Sequence, residues 1–291
     1  LVMANTRKKA RNIFENLTTT LHTNYITAGI RKKNRKRMIE LINSQHCTAC
    51  NENIPRTMIE CPNCHGNGIL EVIESITVST QSIQAGVDVS FSSIYREVAP
   101  LDDIVQVMGR LNREAQNQNA TLTVYRNRTH PERYPYTELE WNESHTRIQQ
   151  IHNSQELYAE LPGYYNTVFA ANATNQNLAV DLRDLMIDLD FPNVWRHVRQ
   201  NIGDIADETV FIPDDAEWDT VKRELLDEDT RGAALKRYST LTAGLPRTTR
   251  PLDYDVEFDP DLMQHNILLP RRNRLANVYD DDRLGLDIWL R

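Results

Sequence analysis

The sequence predicts an α/β fold built on a parallel sheet, with an inserted four-cysteine element and a mostly helical α+β domain after it. Three observations support this prediction. Over residues 1–125, short β-rich runs alternate with segments whose apolar residues recur at helical spacing. Two Cys-x-x-Cys pairs interrupt that alternation between residues 46 and 68. A Pro-containing stretch then precedes a largely helical remainder.

The chain is predicted to form two domains joined by a linker. Its 291 residues, 40 % hydrophobic and 25 % charged, suffice for two cores. We assign 1–125 to the first domain, 126–141 to the linker and 142–291 to a C-terminal domain. The first part carries 14 Lys/Arg and 11 Asp/Glu (net +3), and the remainder carries 19 and 30 (net −11). A basic first part could meet phosphate, although solvated surfaces of different composition would give the same asymmetry.

The first domain shows strand and helix signals in regular order. The apolar start at 1–4 indicates a buried strand, followed by a capped helix over 7–17 and a strand at 21–25. A basic run at 31–37 leads into a second amphipathic helix. The remaining signals are strands at 73–79, 93–98 and 121–125, and a helix over 101–111. Because strands and helices alternate, we expect a parallel sheet.

Beyond the linker, the pattern predicts helices first and a mixed tail afterwards. We expect a helical block over 142–200, a strand at 208–212, a helix from Pro213 to Glu228, and short strands with Pro-rich turns after that. The apolar opening without an initiating methionine suggests that the sequence is a fragment. With no charged-then-apolar leader and no long apolar run, we expect a cytoplasmic protein without a membrane segment.

All four cysteines fall in one short stretch. They are Cys47, Cys50, Cys61 and Cys64. Two Cys-x-x-Cys pairs are typical of a tetrathiolate zinc site, because each pair can point two sulfurs at one tetrahedral metal. Gly66 and Gly68 supply the backbone freedom of such a knuckle. Two disulfides are an alternative, and His65 could replace one thiolate. A structural zinc is favoured over a docking surface, since four thiolates leave no open catalytic position.

Two further segments carry candidate chemistry. Residues 80–88 place a hydroxyl, Gly86 and a carboxylate directly after a strand, at the edge where α/β sheets bind ligands. Residues 106–113 place Arg110 and Arg113 three apart, so that on a helix they would share one face. Two guanidiniums suit a transferring phosphoryl group, whose charge spreads over several oxygens. Taken alone, such an arginine pair could equally be a solvated helix face.

Together with the opening strand, these segments resemble the second RecA-like domain of a superfamily-two helicase. Asn-Thr-Arg-Lys-Lys-Ala at 5–10 looks like motif IV, 80–88 like motif V and 106–113 like motif VI, and Leu-His-Thr-Asn-Tyr at 21–25 matches the histidine-bearing strand between motifs IV and V. The sequences Val-Ser-Thr-Gln, Gly-Val-Asp-Val, Ala-Pro-Leu-Asp-Asp and Gly-Arg-Leu-Asn-Arg are similar to the type I CRISPR-associated helicase family. The resemblance implies a RecA-like parallel sheet with a zinc-ribbon-like insertion.

The resemblance also implies a role for each matched residue. Arg110 would be the arginine finger on the γ-phosphate of Mg²⁺-ATP bound between two RecA-like domains, with Arg113 as its partner. The residues expected to couple the nucleotide to domain closure are Gly86, Asp88 and Gln106. Those expected to face the DNA backbone are Asn5, Thr6, His22 and Thr80. The basic run at 31–37 could extend that DNA track or form a solvated helix face.

Two departures and three missing motifs qualify these roles. Val107 stands where the family usually has arginine, and Gln84 where glutamate is common, which weakens the expected coupling. The sequence contains no Gly-x-x-x-x-Gly-Lys-[Ser/Thr] phosphate loop, no Asp-Glu-x-His/Asp magnesium box and no paired His-Asp of the family's nuclease domain. We therefore expect the chain alone to be inactive as an ATP hydrolase and to need an N-terminal helicase half.

The function implied by the resemblance is ATP-dependent translocation on single-stranded DNA in type I CRISPR antiviral defence. The implied partners are the N-terminal helicase half, single-stranded DNA and the surveillance complex that recruits the enzyme to degrade target DNA. The main alternative is a non-catalytic module that docks on that complex, or on an anti-CRISPR protein, through the acidic C-terminal domain. Another superfamily-two DNA or RNA helicase is a third reading.

Overall fold

The architecture is seen in a computed structural model that describes residues 1–83, 87–113, 119–126, 136–172, 208–245, 257–274, 279–280 and 285–286. Its central element is a five-stranded sheet in the order β2-β6-β1-β7-β8, with every neighbouring pair parallel. The strands are β1 (Val2–Met3), β2 (His22–Ile26), β6 (Ser75–Ser79), β7 (Ser93–Glu97) and β8 (Thr121–Tyr125). The parallel α/β sheet predicted from the sequence is confirmed.

Three helices pack against this sheet: α1 (Arg7–Asn16), α2 (Lys32–Ile42) and α3 (Leu101–Met108). Thr6 caps α1, because its hydroxyl accepts a hydrogen bond from the backbone N–H of Lys9 at 3.3 Å. The core between α2, α3 and the sheet is apolar, and Met3, Ile94 and Val107 are completely buried in it. An arginine at 107 would have to enter this core. Val107 therefore belongs to the core in this chain, and the weakened coupling expected from it stays a prediction.

The four-cysteine insertion forms a small antiparallel sheet of its own. Its strands are β3 (Ser44–Cys47), β4 (Glu52–Pro55) and β5 (Leu70–Val72), in the order β4-β3-β5. The insertion thus extends over 44–72, somewhat beyond the predicted 46–68, because strand pairing begins outside the cysteine pairs. It leaves the parallel sheet between α2 and β6, at the amino ends of the parallel strands.

A helical hairpin follows the parallel sheet. Its helices are α4 (Glu138–Ile148) and α5 (Ser154–Asn172). Thr137 caps α4 in a capping box with Glu140, so residues 138–141 of the predicted linker are helical. Leu157 and Tyr164 of α5 share a buried cluster with Leu101 and Ile104 of α3. The hairpin therefore packs on the α3 side of the sheet.

The remaining described residues mix strands and helices. The elements are β9 (Glu208–Phe211), α6 (Trp218–Leu226), α7 (Glu228–Arg237), β10 (Thr242–Leu245), α8 (Pro260–Met263), β11 (Tyr279–Asp280) and β12 (Gly285–Leu286). The single helix predicted over 213–228 is instead a 3₁₀ turn at Asp215–Glu217 followed by α6, and Asp227 caps α7 as a new helix. None of the described helices is long and apolar enough to cross a bilayer.

Candidate motor and metal sites

The predicted motor residues lie at two opposite edges of the parallel sheet. Thr80 follows β6 and Thr6 follows β1, both at the carboxyl ends of the strands. Asp88 lies at the amino edge, close to Phe91, which forms a parallel bridge with Leu111 just before β7 begins. The expectation that the whole of 80–88 lies at the carboxyl edge is therefore wrong.

Arg110 and Arg113 lie in a turn and not on a helix. Helix α3 ends at Met108, and the backbone N–H of Arg110 donates to the carbonyl of Val107 at 2.8 Å. The backbone after α3 then pairs with Phe91 as in a β-sheet. The N–H of Phe91 donates to the carbonyl of Arg110 at 2.9 Å, and the carbonyl of Phe91 accepts from the N–H of Asn112 at 2.8 Å. Asn112 has a φ of 46°. The prediction that both arginines share a helical face is wrong, since this pairing ends the helix first.

The turn brings together the two segments that resemble motifs V and VI. Nη1 of Arg113 lies 2.6 Å from Oδ1 of Asp88, and its backbone N–H donates to the Ser90 hydroxyl at 3.0 Å. The two charged side chains are 47 % and 86 % exposed, so their pairing contributes at most about 1 kcal/mol to stability. Gln106 is also exposed, on α3. Gly86, predicted to act with them, lies outside the described residues.

At the carboxyl edge, the side chain of Asn5 is used inside the protein. It is 3 % exposed, its Nδ2 donates to the carbonyl of Val98 at 2.8 Å, and its Oδ1 accepts from Nη1 of Arg96 at 2.6 Å. Asn5 therefore holds β1 against β7 and does not present its amide to solvent. Thr80 is also buried, at 6 % exposure.

His22 is separated from the other predicted DNA residues. It is exposed and opens β2, opposite Ser75 at the start of β6. Thr80 follows the far end of that strand, so the two positions are roughly 15 Å apart along the sheet. The structure thus divides the four predicted DNA contacts between two edges.

Sequence reasoning missed an ionic network beneath the carboxyl edge. Arg96 is 0 % exposed, and Nζ of Lys9 pairs with Oε1 of Glu97 at 2.7 Å, both side chains being buried. Nη2 of Arg96 donates to the hydroxyl of Tyr136 at 2.8 Å, and that hydroxyl donates to Oδ2 of Asp103 at 2.6 Å. Burial raises the pKa of Tyr136, so the phenol keeps the proton that it donates. The signal was an Arg-Glu pair at the end of a predicted strand.

The basic run at 31–37, which begins at the N-cap of α2 and continues into that helix, is partly structural. Arg31 is 3 % exposed; its Nη1 lies 2.7 Å from Oδ1 of Asp214 and donates to the carbonyl of Ile212 at 3.0 Å. Its guanidinium also lies 4.8 Å from the ring centroid of Tyr279. Lys33 adds a second ion pair to Asp214 at 2.9 Å. Arg31 therefore joins the C-terminal residues to the loop after β2 and does not extend a DNA track.

The four cysteines converge at one point of the insertion. Their sulfurs all lie within 4.8 Å of one another. Sγ of Cys47 is 3.5 Å from that of Cys64, and Sγ of Cys50 is 3.4 Å from that of Cys61. All four are free thiols, so the structure does not form the alternative pair of disulfides. His65 is not a member of the converging group.

The knuckle turns explain the glycines near the cysteines. Gly66 has a φ of +79°, and a Cβ on Gly68 would lie 2.5 Å from Sγ of Cys47. The predicted need for backbone freedom is confirmed at Gly66, whereas Gly68 is required for space beside Cys47. The backbone N–H of Cys50 lowers the pKa of the Cys47 thiol to about 6, whereas the Cys61 thiol raises the pKa of Cys50 to about 12. Negative charge in the cluster is therefore more stable on the sulfur of Cys47 than on that of Cys50.

Comparison with known proteins gives these sites a context. Residues 1–116 match the family model for the C-terminal part of the CRISPR-associated nuclease/helicase Cas3. This stretch, called the Cas3-like region below, is similar to the C-terminal part of that family. A Cas3 of Haloferax volcanii is 56 % identical over 41 residues, which cover 14 % of this chain and 4 % of that protein. The resemblance read from the motifs is confirmed.

Solved structures extend the likeness in fold beyond the Cas3-like region. T. fusca Cas3–ADP matches with a TM-score of 0.52 at 10 % identity, covering 92 % of this chain and 35 % of that one. A chain of a CRISPR RNA-guided surveillance complex, pre-nicking, matches with a TM-score of 0.51 at 12 % identity, covering 92 % and 36 %. At such identities the likeness concerns the fold alone. The chain spans about a third of these solved chains and a small fraction of the curated relative.

Proposed function

We propose that this chain is part of an ATP-dependent single-stranded DNA translocase of type I CRISPR defence. The observation that carries the proposal is the meeting of Asp88 and Arg113 at one exposed edge, with Arg110 in the adjoining turn, inside the Cas3-like region. In this reading, 1–125 is a second RecA-like domain, 126–141 contains a connection, and 142–291 is a C-terminal domain.

The amino edge would form one wall of an ATP site. Arg110 and Arg113 supply guanidinium groups that suit the spread charge of a transferring phosphoryl group. The ion pair with Asp88 is exposed and weak, so phosphate oxygens could displace the carboxylate from Arg113 at little cost. Gln106 and Gly86 would complete this wall. The N-terminal helicase half would supply the phosphate loop and the Mg²⁺ ligands, which this sequence lacks.

The carboxyl edge would meet the DNA backbone. Thr6 opens α1 at this edge, and Lys8 is exposed in the first turn of that helix. A hydroxyl and a cation there suit phosphate contacts without sequence specificity. Thr80 is buried at the end of β6, and Asn5 supports the edge from below. His22 would meet nucleic acid only at the opposite edge. The fold shared with a chain of a surveillance complex supports recruitment to such a complex.

The insertion would hold a structural zinc ion. In tetrahedral coordination at about 2.3 Å, sulfurs lie about 3.8 Å apart. The observed spread, from 3.4 Å between two sulfurs to a limit of 4.8 Å for all, matches that arrangement. A bound divalent cation would also favour the deprotonated thiolate form of all four cysteines. Without a cation, the neighbouring sulfur of Cys61 favours the protonated form of Cys50. We therefore assign residues 44–72 a zinc-ribbon-like role as a stapled module.

The test is an ATPase assay of this chain with and without its N-terminal helicase half. We expect hydrolysis that requires both parts and rises with single-stranded DNA. If the folded parts associate but never hydrolyse ATP, the proposal is wrong. Tight ATP-independent binding of the chain to the surveillance complex, or to an anti-CRISPR protein, would then favour a docking module.

A further inference from the structure

The Tyr136 hydroxyl lies at the centre of the network beneath the carboxyl edge. It accepts hydrogen bonds from Nε2 of Gln81 and from Nη2 of Arg96, both at 2.8 Å, and it donates to Oδ2 of Asp103 at 2.6 Å. A phenol has one proton to donate and two lone pairs to accept with, so all of its capacity is used. A saturated hydroxyl with three partners from different elements forms a junction.

The three partners belong to the parts that the motor must connect. Gln81 follows Thr80 at the carboxyl edge, and Arg96 is the penultimate residue of β7 and holds the side chain of Asn5. Asp103 lies in the first turn of α3. Tyr136 itself comes from the segment that leads into α4. One oxygen atom thus joins the proposed DNA-facing edge to a helix of the Cas3-like region.

Helix α3 leads from this junction to the proposed ATP wall. It has eight residues, about 12 Å of rigid helix, and its last turn runs directly into Gly109 and Arg110. Its amino end is fixed a second time, because the N–H of Leu101 donates to the Ser144 hydroxyl at 3.1 Å. A displacement of Gln81 or Asn5 at the carboxyl edge would therefore be transmitted to Arg110 through α3, which is short and stiff.

The network is costly to leave incomplete. Arg96 is 0 % exposed, and its Nε has no hydrogen-bond partner within the described part of the chain. A buried guanidinium that already lacks one partner depends strongly on the remaining ones. The Tyr136 oxygen therefore helps to fix the position of Arg96, together with Oδ2 of Asp103, which lies 3.7 Å from Nη2 of Arg96. Arg96 in turn holds the side chain of Asn5.

We propose that Tyr136 is a positioning residue that couples DNA contact at the carboxyl edge to the placement of Arg110. The proposal rests on the function proposed above. In the complete helicase, Tyr136→Phe keeps the ring and removes all three hydrogen bonds. We expect the stimulation of ATP hydrolysis by single-stranded DNA to fall about tenfold, while the DNA-free rate stays within about twofold.

Tyr125→Phe is the matched control. Tyr125 ends β8 and is likewise partly buried, but among the described residues its hydroxyl makes a single hydrogen bond, to the carbonyl of Met3 at 3.2 Å. We expect normal DNA stimulation in that variant. Gln81→Leu removes only one arm of the junction and should give a smaller loss in the same direction as Tyr136→Phe. It provides the test if the Tyr136 variant folds poorly.

The outcomes separate coupling from simple structural support. Selective loss of DNA stimulation in Tyr136→Phe, absent in Tyr125→Phe, supports the proposal. An unchanged Tyr136→Phe enzyme overturns it, and so does an equal loss in the presence and absence of DNA, which a merely structural role would give. If the unmodified enzyme hydrolyses ATP without any response to DNA, the proposed translocase function itself fails, and the coupling role with it.

Discussion

Replacing Cys61 by serine should release zinc and unfold the insertion while leaving the parallel sheet intact. Cys61 is 1 % exposed, and its sulfur faces that of Cys50 at 3.4 Å. The insertion's small core contains Ile54 beside the buried cysteines, and burying one such side chain contributes only about 1.5–3 kcal/mol. A structural zinc supplies an apparent 10–16 kcal/mol or so, and we therefore expect the insertion to fold only with its metal.

The assay combines metal content with hydrogen exchange. We expect about one zinc per unmodified chain and less than about a tenth of that in Cys61→Ser. Amide protection should be lost over 44–72 and kept over 75–79. The matched control is His65→Asn, which keeps a residue that tolerates the observed φ of 51° and should retain the metal. Full zinc and full protection in Cys61→Ser would refute the reasoning, and loss of zinc in His65→Asn would make the histidine a ligand.

Two predictions concern the charges that support the fold. Glu97→Gln leaves Lys9 buried without its carboxylate partner, at 9 % and 6 % exposure, and should lower the free energy of unfolding by about 3–5 kcal/mol in denaturant titrations. Glu15→Gln, in an exposed pair, should change it by less than about 1 kcal/mol, and equal effects would contradict this account. The Arg31 guanidinium lowers the pKa of Asp214 below its usual 3.8, so this carboxylate's contribution is present above pH 3.8 and lost as the pH falls through the lower folded value. In Asp214→Asn, the free energy of unfolding should therefore fall less steeply at acid pH. An unchanged pH dependence would show that the pairing of Asp214 with Arg31 does not contribute to stability.

The sheet and the metal cluster were predictable because their signals are local. Strand and helix periodicity placed β8 at 121–125 as observed, and the cysteine spacing indicated the cluster that the sulfurs form. The position of Asp88 was not predictable in the same way. Its segment follows a strand but returns to the opposite edge, and that path is set by the pairing of Phe91 with Leu111, two residues far apart in sequence.

Contacts between residues far apart in sequence also explain the other differences between the sequence predictions and the structure. Arg110 and Arg113 have helical spacing, yet the same pairing with Phe91 ends α3 before them. Arg31 appears in a basic run but is buried by C-terminal residues more than 180 positions away, such as Asp214. The Tyr136 junction gathers residues from four segments, and no motif marks it. Sequence periodicity does not predict which residues distant in sequence come into contact.

The most direct test of the central claim is the turnover of the complete helicase that carries Arg110→Ala. With single-stranded DNA present, ATP hydrolysis should fall by roughly 10³–10⁵-fold if this chain supplies the arginine finger. Arg237, an exposed arginine outside the predicted motor segments that pairs with Glu224, provides the matched control and should tolerate alanine. Loss with Arg110→Ala alone is the predicted result. Near-normal turnover in a folded, assembled enzyme would show that this chain does not form the wall of the ATP site.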